Sequence, residues 1–338
     1  MRNLKYILIT AVMFVLSSCI YEYPVYIPAG TQLKLTFRLD SNIINSYPQI
    51  NDLSSDEYDL RYVIKAYRKT NSGSYHTSPH KEFVFTKDDI TSLDSTFLVE
   101  LDEGDYTFYT ATDYVPQYMT GDHHFSTVSF ADLHVRCENY HGSTESKTLY
   151  TGVQEIKIER FNGKETSTDT INLSPALFKY QIVATDLQEF HAKVMTKAGA
   201  PDVVAQNLEN YIVKLRYDSK EPLYTHMDVC NGCKATRGET GLFYMSEITK
   251  LNDNEAMLCF DHIMVGENQK EISMRVGIYK KDGTHITTIP VKFPVHTGKF
   301  QCYKGNFLTY VGLENEDDGG VILNPDFAGN INVDLGTK

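Results

Sequence analysis

The chain has 338 residues, with 32 lysines and arginines against 44 aspartates and glutamates, and a formal net charge of −12 at pH 7. This acidic balance argues against a nucleic-acid partner, because phosphate binding relies on lysines and arginines that displace counterions. The length is sufficient for two ordinary domains, each with its own hydrophobic core.

The first 18 residues have the pattern of a secretory signal peptide. A basic head with Arg2 and Lys5 precedes a short apolar run over residues 7–16. About ten residues of helix span roughly 15 Å, which is too short for the ~30 Å hydrocarbon core of a membrane. The run ends in small residues, as cleaved signals do. We therefore expect residues 1–18 to be removed from the mature protein.

The end of this segment, Leu16-Ser17-Ser18-Cys19, resembles the lipobox of bacterial lipoproteins. In that family the cysteine receives a diacylglyceryl group, the chain is cut before it, and the new amine is acylated. The resemblance predicts lipidation at Cys19, and several acyl chains anchor firmly because each buried CH₂ contributes about 0.8 kcal/mol. The alternative is an uncleaved anchor or a fortuitous cysteine. Residues 19–30 contain two prolines and are predicted to be a tether.

Short strands are predicted throughout residues 31–174. The stretch TQLKLTFRL alternates apolar and polar residues over nine positions, which is the period of a half-buried strand. A similar alternation occurs in LRYVIKAYR at residues 60–68, and further strands are predicted at EFVFT, STFLVEL, YTFYTATDYV, VQEIKIER and DTINLS. Residues 116–150 are less regular, and we expect them to form a long, mobile connection.

Residues 175–338 contain the best helix signal of the chain. It predicts a helix at Leu187–Ala198, preceded by Asp186, which stands three residues before Glu189 in a spacing that can cap a helix. Strands resume after it, and the strongest hairpin signal lies at the Asp-Gly pair of residues 282–283.

Many short strands, frequent turns and about one helix favour antiparallel sandwiches over a parallel α/β fold. We therefore predict a mainly β, all-β chain with two tandem antiparallel β-sandwich domains, residues 31–174 and 175–338. One short helix belongs to the second domain.

Cys230-Asn231-Gly232-Cys233 is the sharpest chemical motif. A redox pair of this spacing normally begins a helix, whose dipole lowers the pKa of the first thiol, whereas this pair lies in a predicted loop. A zinc site would need a second closely spaced pair of ligands, which the sequence does not contain. We therefore expect Cys230 and Cys233 to form a local disulfide, as an exported protein permits, or to be inert thiols. Redox and metal roles are less favoured.

Two other groups could bind a metal. His123 and His124 are adjacent, so on a strand they would point to opposite faces, and a solvated loop is the favoured interpretation. The acidic run at residues 314–320 has the oxygen ligands that calcium prefers but lacks the spacing of a known loop. The sequence contains no nucleophile elbow, HExxH, phosphate loop or GxGxxG motif, so we predict no enzyme activity, no cofactor and no metal.

Four segments together resemble the FimB-type minor, anchor subunits of fimbrillin-type (type V) fimbriae of Bacteroidota. They are YDLRYVIKAYR (58–68), VELDEGDYTFYTATDYV (99–115), LSPALFKYQIVATDLQEF (173–190) and ILNPDFAGNINVDL (322–335). The resemblance implies two transthyretin-like sandwiches and no catalysis. It also implies a lipidated subunit that holds a fimbria at the outer membrane, limits its length, and has the major fimbrillin stalk subunit as its partner.

The region after the first predicted strand suits an anchor. In such fimbriae, stalk subunits are thought to lose their first strand by cleavage after a basic residue. Here residues 40–60 contain no lysine or arginine, and Arg38 lies inside the predicted strand. A first strand that is retained and joined to lipid at Cys19 is what an anchor requires.

The C-terminal stretch contains a candidate strand for assembly. Ile331, Val333 and Leu335 face one side of an alternating segment. This segment could complete the chain's own second sandwich, which is slightly favoured, or could be donated to a stalk subunit. A competing function is a monomeric surface lipoprotein that binds glycan or host protein on an aromatic face. Either function places the protein at the outer membrane, exposed at the cell surface.

Overall fold

The structure is a computed structural model, and it describes residues 31–39, 53–70, 77–159, 167–198, 207–218, 220–310, 321–322 and 331–333. The strands of the first half are β1 (Thr31–Leu39), β2 (Tyr58–Arg68), β3 (Lys81–Lys87), β4 (Ser95–Leu101), β5 (Gly104–Pro116), β6 (Phe125–Ser126), β7 (Leu133–Val135), β8 (Leu149–Ile158) and β9 (Ser167–Pro175). The second half begins with β10 (Phe178–Ala184) and the helix α1 (Leu187–Ala198), followed by β11 (Tyr211–Tyr217), β12 (Leu223–Asp228), β13 (Lys234–Glu239), β14 (Phe243–Glu247) and β15 (Thr249–Lys250). It continues with β16 (Ala256–Ile263), β17 (Glu271–Lys280), β18 (His285–Pro294), β19 (Phe300–Gly305), β20 (Val321–Ile322) and β21 (Ile331–Val333).

The predicted all-β fold is confirmed, with about 58% strand and 8% helix. The predicted helix is also confirmed, and α1 has the expected bounds, Leu187–Ala198. No helix within the described ranges has the length and apolar character needed to cross a bilayer.

The first half is one seven-stranded sheet in the order β3-β2-β5-β8-β9-β1-β4. It folds back on itself where β8 and β9 pair through only two residues of each strand in the described chain, Tyr150 with Pro175 and Thr151 with Ser174. The apolar faces of the two arms meet in one core, where the ring of Phe37 in β1 lies 5.2 Å from that of Tyr62 in β2. The alternation seen in the sequence places these side chains on the inner face.

The second half has two five-stranded sheets, β15-β16-β10-β19-β21 and β14-β11-β17-β18-β20. Their inner faces share a core in which Tyr180 of β10 packs 5.0 Å from Phe293 of β18. The predicted hairpin joins β17 to β18, and Gly283 adopts the positive φ of 89° that its turn requires.

Most strands pair antiparallel, as predicted, but four strand pairs are parallel in the described residues. Strand β1 pairs in parallel with β9, and β10 pairs in parallel with β19. The short strands β20 and β21 are also parallel to their partners, β18 and β19. The alternating pattern shows which face of a strand is apolar but carries no information about the direction of a partner that is distant in sequence.

Asp186, the residue before α1, places its carboxylate against the chain that follows β19. Its carboxylate accepts hydrogen bonds from the backbone N–H groups of Leu308 and Thr309, at 3.2 and 2.6 Å, and from the Thr309 hydroxyl at 2.7 Å. This buried carboxylate therefore fixes the chain that leaves β19.

Residues 116–150 are packed between the two halves rather than forming the expected loose connection. Strand β7 pairs with β12 of the second half, so that β6 and β7 join β12 and β13 in a four-stranded sheet of order β13-β12-β7-β6. Phe125, Phe130 and Leu133 are completely buried there, together with Met227 from β12. We call this contact region, built from residues 116–150 and the surfaces that they touch, the junction.

Candidate functional site

Several predicted sites lie outside the described residues. These are Cys19, the acidic run at residues 314–320, and Leu335. The predictions made for them stay predictions.

Cys230 and Cys233 lie at a tight turn at the junction. Gly232 and Cys233 both have positive φ angles, 74° and 58°, so the turn reverses sharply. Both thiols are free in this structure. The Cys233 sulfur lies 3.1 Å from the hydroxyl of Thr151 in β8. Burial raises the pKa of both thiols, which is opposite to the lowered pKa of a reactive redox cysteine.

The histidine pair at residues 123–124 is not a solvated loop, and that interpretation is wrong for His124. Its side chain is buried, and its Nε2 lies 2.8 Å from the Ser146 hydroxyl. Burial lowers the pKa of His124 to about 3, with further contributions from the neighbouring His123, Lys147 and His141. His124 is therefore a neutral, structural group at the junction.

The junction contains a buried ion pair that joins the two halves. Lys147, just before β8, donates a hydrogen bond to the Asp261 carboxylate of β16 at 2.8 Å, and both side chains are about 1% exposed. The same carboxylate accepts hydrogen bonds from the hydroxyls of Tyr140 and Tyr217, at 2.7 and 2.6 Å. The backbone N–H of His262 completes the set at 2.7 Å. Protein groups therefore supply the hydrogen bonds of the Asp261 carboxylate, as a buried charge requires.

Backbone contacts hold the same segment against β16. The N–H of Ser143 donates to the carbonyl of Phe260 at 2.8 Å, and the N–H of Phe260 lies 3.2 Å from the Ser143 hydroxyl. The ammonium of Lys179 also pairs with Glu145. These contacts fix the orientation of the two sandwiches relative to each other.

A second buried ion pair fastens residues 116–128 to the outer face of the first sheet. Arg61 donates two hydrogen bonds to Asp113, at 2.9 and 2.8 Å. Its remaining guanidinium nitrogen reaches Asp122 at 3.0 Å and the Thr120 carbonyl at 3.2 Å. Nearby, the Lys65 ammonium donates to the carbonyl of Val128 at 2.7 Å. Sequence alternation suggested that this face of β2 meets solvent, whereas it is covered.

One group of metal-ligand side chains is found among the described residues. Asp132, His134 and His226 place their ligand atoms within 4.8 Å of one another at the junction. Sequence patterns did not identify this group, because the third residue is far along the chain from the first two.

Two short strands lie at one edge of the second sandwich. Strand β21, which contains Ile331 and Val333, pairs with Tyr303–Gly305 of β19. Strand β20 pairs with only Val291 and Lys292 of the ten residues in β18, within the described part of the chain. The last strands of both sheets are therefore short edge strands.

The fold is that of an all-β chain whose two halves are joined by a buried, charged junction. A family model described as "Family of unknown function (DUF6562)" matches residues 28–337, so the chain belongs to this family. No curated protein matches the chain.

Among solved structures, the chain is similar to the fimbrial anchor protein Mfa2 from Porphyromonas gingivalis, at 13% identity and a TM-score of 0.41, over 77% of this chain and 81% of that one. It is similar to a proposed adhesin from Bacteroides ovatus at 11% identity and a TM-score of 0.41, over 78% and 82% of the two chains. The tip fimbrial protein Mfa3 from Porphyromonas gingivalis, with a C-terminal truncation, matches at 11% identity and a TM-score of 0.36, over 77% and 81%. Similarity at this level does not transfer a function to this chain.

Proposed function

We propose that the protein is a non-catalytic minor subunit of a fimbria, lipidated at Cys19, that anchors the fimbria to the outer membrane and limits its length. Its polymer partner is a major fimbrillin stalk subunit, which it contacts by strand complementation at the C-terminal edge of the second sandwich. The proposal starts from the four segments that resemble anchor subunits of fimbrillin-type fimbriae.

The position of β1 is the observation that carries this proposal. Strand β1 lies between β4 and β9 and is paired along its length, with Leu33, Leu35 and Phe37 completely buried. Only 11 residues separate Cys19 from Thr31, where the strand begins. An anchor must pass load from its lipid into its fold, and a central strand is a suitable attachment because pulling on it loads many hydrogen bonds together. Removal of β1 would open the first core.

The C-terminal edge supports the complementation part of the proposal. A partly covered edge offers main-chain donors and acceptors to an extended strand of a partner. Here β21 covers three residues of β19 and β20 covers two of β18 in the described chain. A stalk strand could extend either sheet, or β21 could leave its place and be donated.

The junction also suits a load-bearing role. Asp261 and Lys147 join the halves through buried contacts, so force that enters at β1 reaches the C-terminal edge through a fixed connection. A flexible linker between the sandwiches would extend under the same force.

A surface lipoprotein that binds glycan or host protein is the second candidate. The loop after β5 favours it, because Tyr118 is 87% exposed and the adjacent Met119 is 41% exposed. Exposed aromatic rings are common in ligand contacts. Replacing Tyr118 by Ser should abolish binding in that case and should leave fimbriae unaffected if the protein is an anchor.

Purification from membranes tests the proposal directly. A tagged protein should bring fimbrillin with it from detergent extracts. Cys19→Ala should lose labelling by palmitate and retention in membranes, while Cys137→Ala, which changes another cysteine, should keep both. Equal labelling of the Cys19 variant would contradict the lipid anchor, and purification without fimbrillin would favour the second candidate.

Deletion of residues 328–338 tests the C-terminal edge. If β21 is donated to the stalk, the shortened protein should fold and stay on the membrane while fimbriae are shed. If β21 serves only its own sheet, the protein should be less stable and less abundant. If the shortened protein is normally abundant and cells carry normal fimbriae, residues 328–338 do not take part in the contact with the stalk.

A further inference from the structure

We propose that Asp132, His134 and His226 form a binding site for one divalent transition-metal ion of the zinc type, which joins the two halves of the chain. The site is independent of the proposed fimbrial role.

The sheet at the junction brings the two histidines together. Strands β7 and β12 are antiparallel, and His134 and His226 stand directly opposite each other in their register. Directly opposed residues project to the same face of a sheet. Their rings lie 4.7 Å apart between centroids, and Asp132 precedes His134 by two residues.

The donor set suits zinc. Two imidazole nitrogens and one carboxylate oxygen are ligands that Zn²⁺ accepts, and a three-residue set leaves the fourth tetrahedral position to water. The ligand atoms already lie within 4.8 Å of one another, so modest side-chain rotation would bring them around an ion. Hard cations such as Mg²⁺ and Ca²⁺ prefer oxygen ligands and fit this set less well.

The hydrogen bonds of His134 prepare it as a ligand. Its Nδ1 lies 3.1 Å from the backbone carbonyl of Asp132, which can only accept, so Nδ1 carries the proton. The lone pair is then on Nε2, which is the arrangement found in most metal-binding histidines, where the other ring nitrogen donates to a carbonyl or carboxylate.

One ligand of the proposed site is buried and another is exposed to solvent. The His226 side chain is 8% exposed, whereas that of Asp132 is 54% exposed. An ion can therefore reach the site from solvent past the carboxylate, while His226 is held in place by the sheet.

Arg237 of β13 now contributes the positive charge beside His226. Its guanidinium donates to Nε2 of His226 at 2.8 Å, and Nδ1 of the same ring lies 2.9 Å from a carboxylate oxygen of Asp132. An ion bound between Nδ1 and Asp132 would leave the proton on Nε2, so the guanidinium would have to turn away. Arg237 therefore competes with the ion, and its charge weakens binding.

This competition makes Arg237 the most informative position. Arg237→Gln removes the charge and supplies an amide oxygen that can accept the Nε2 proton. We expect Zn²⁺ to bind this variant at least about tenfold more tightly than the wild type, since changes in groups that contact metal ligands shift affinity by 10–100-fold. If these residues form only a hydrogen-bond network, Arg237→Gln should not increase the affinity for Zn²⁺.

The experiment is calorimetric titration of the full mature chain with Zn²⁺ alone, together with the visible spectrum of the Co²⁺ form. We expect one ion per chain and the absorption of a tetrahedral cobalt site. His134→Gln and Asp132→Asn should each weaken binding at least about tenfold. Both replace partly or largely exposed side chains, and unfolding in urea without metal will show that each variant is folded.

His80→Gln is the matched control, since His80 also pairs with an acidic residue, Asp102, at 3.7 Å but in the first half alone. It should bind Zn²⁺ like the wild type. The proposal is overturned if no ion binds to the wild type or Arg237→Gln at micromolar concentrations, or if His134→Gln and Asp132→Asn bind as the control does. Binding that is lost in His141→Gln would also overturn it, because it would place the ion near the other histidines, His123 and His124.

Discussion

Two buried ion pairs among the described residues, Arg61–Asp113 and Lys147–Asp261, have different roles, although both help to hold the same segment, 116–150. Arg61 and Asp113 stand opposite each other on neighbouring strands of one sheet. Lys147 and Asp261 lie 114 residues apart and belong to different halves. The first pair fastens a covering segment to its own sheet, and the second sets how two sandwiches meet.

The surroundings of the two carboxylates also differ. Asp113 is bound mainly by one guanidinium, and burial raises its pKa to about 6 despite the opposing effect of Arg61. Asp261 accepts hydrogen bonds from a lysine, two tyrosines and a backbone N–H. Because burial raises the pKa of Asp113, loss of its cation should be relieved in part by protonation of this carboxylate.

The largest expected effect is that of Lys147→Met. It leaves Asp261 as a buried, uncompensated charge, which typically costs about 3–5 kcal/mol. It also removes a contact between the halves, so urea unfolding should split into two transitions. Lys157→Met is the control, because Lys157 is exposed and its pair with Glu159 should contribute less than about 1 kcal/mol. A single transition with an unchanged midpoint would show that the pair does not couple the halves.

Arg61→Met should cost less, about 2–4 kcal/mol at pH 8. The two halves should keep a single transition, while limited proteolysis should become faster within residues 116–128. The loss should shrink at pH 5, because Asp113 without its cation can bind a proton there. A loss that is the same at both pH values would show that Asp113 does not take up a proton when Arg61 is absent.

Acid should weaken the junction through its histidines. His124, with a pKa of about 3, and His262, whose pKa is well below the usual value, stay neutral when folded. Unfolded histidines bind protons near pH 6.5, so this stability is present above pH 6.5 and is lost as the pH falls towards the folded values.

Each such histidine should lower the free energy of unfolding by about 1.4 kcal/mol per pH unit between pH 6 and 4. His124→Gln should reduce the dependence of the unfolding free energy on pH by the contribution of one proton. Urea unfolding at a series of pH values measures this dependence. The neighbouring groups that lower the pKa of His124 further are His123, Lys147 and His141. An unchanged slope in the variant would show that His124 is protonated in the folded state.

The smallest effect is expected for Cys230→Ser with Cys233→Ser. The thiols are partly buried and their pKa values are raised, so they should neither reduce insulin nor contribute more than about 1 kcal/mol through packing. Insulin reduction that disappears in the double variant would contradict this.

Local patterns in the sequence were informative where neighbouring residues decide the structure. The alternation of Leu33, Leu35 and Phe37 identified β1 and its buried face. Apolar residues at helical spacing placed α1, and the Asp-Gly pair placed the β17–β18 hairpin. Each of these depends on the period of a strand or helix or on the backbone of one turn, which a short stretch of sequence contains.

The tertiary structure alone decided what covers each strand and in which direction distant strands pair. LRYVIKAYR alternates like a half-buried strand, but residues 116–135 cover its second face and bury Arg61 and Lys65. Lys147 with Asp261, and His134 with His226, meet only because two halves of the chain pack together. A sequence period reports the pattern of one helix or strand, whereas these contacts depend on how several elements pack together. The residues around each position do not indicate which distant residue will be its partner.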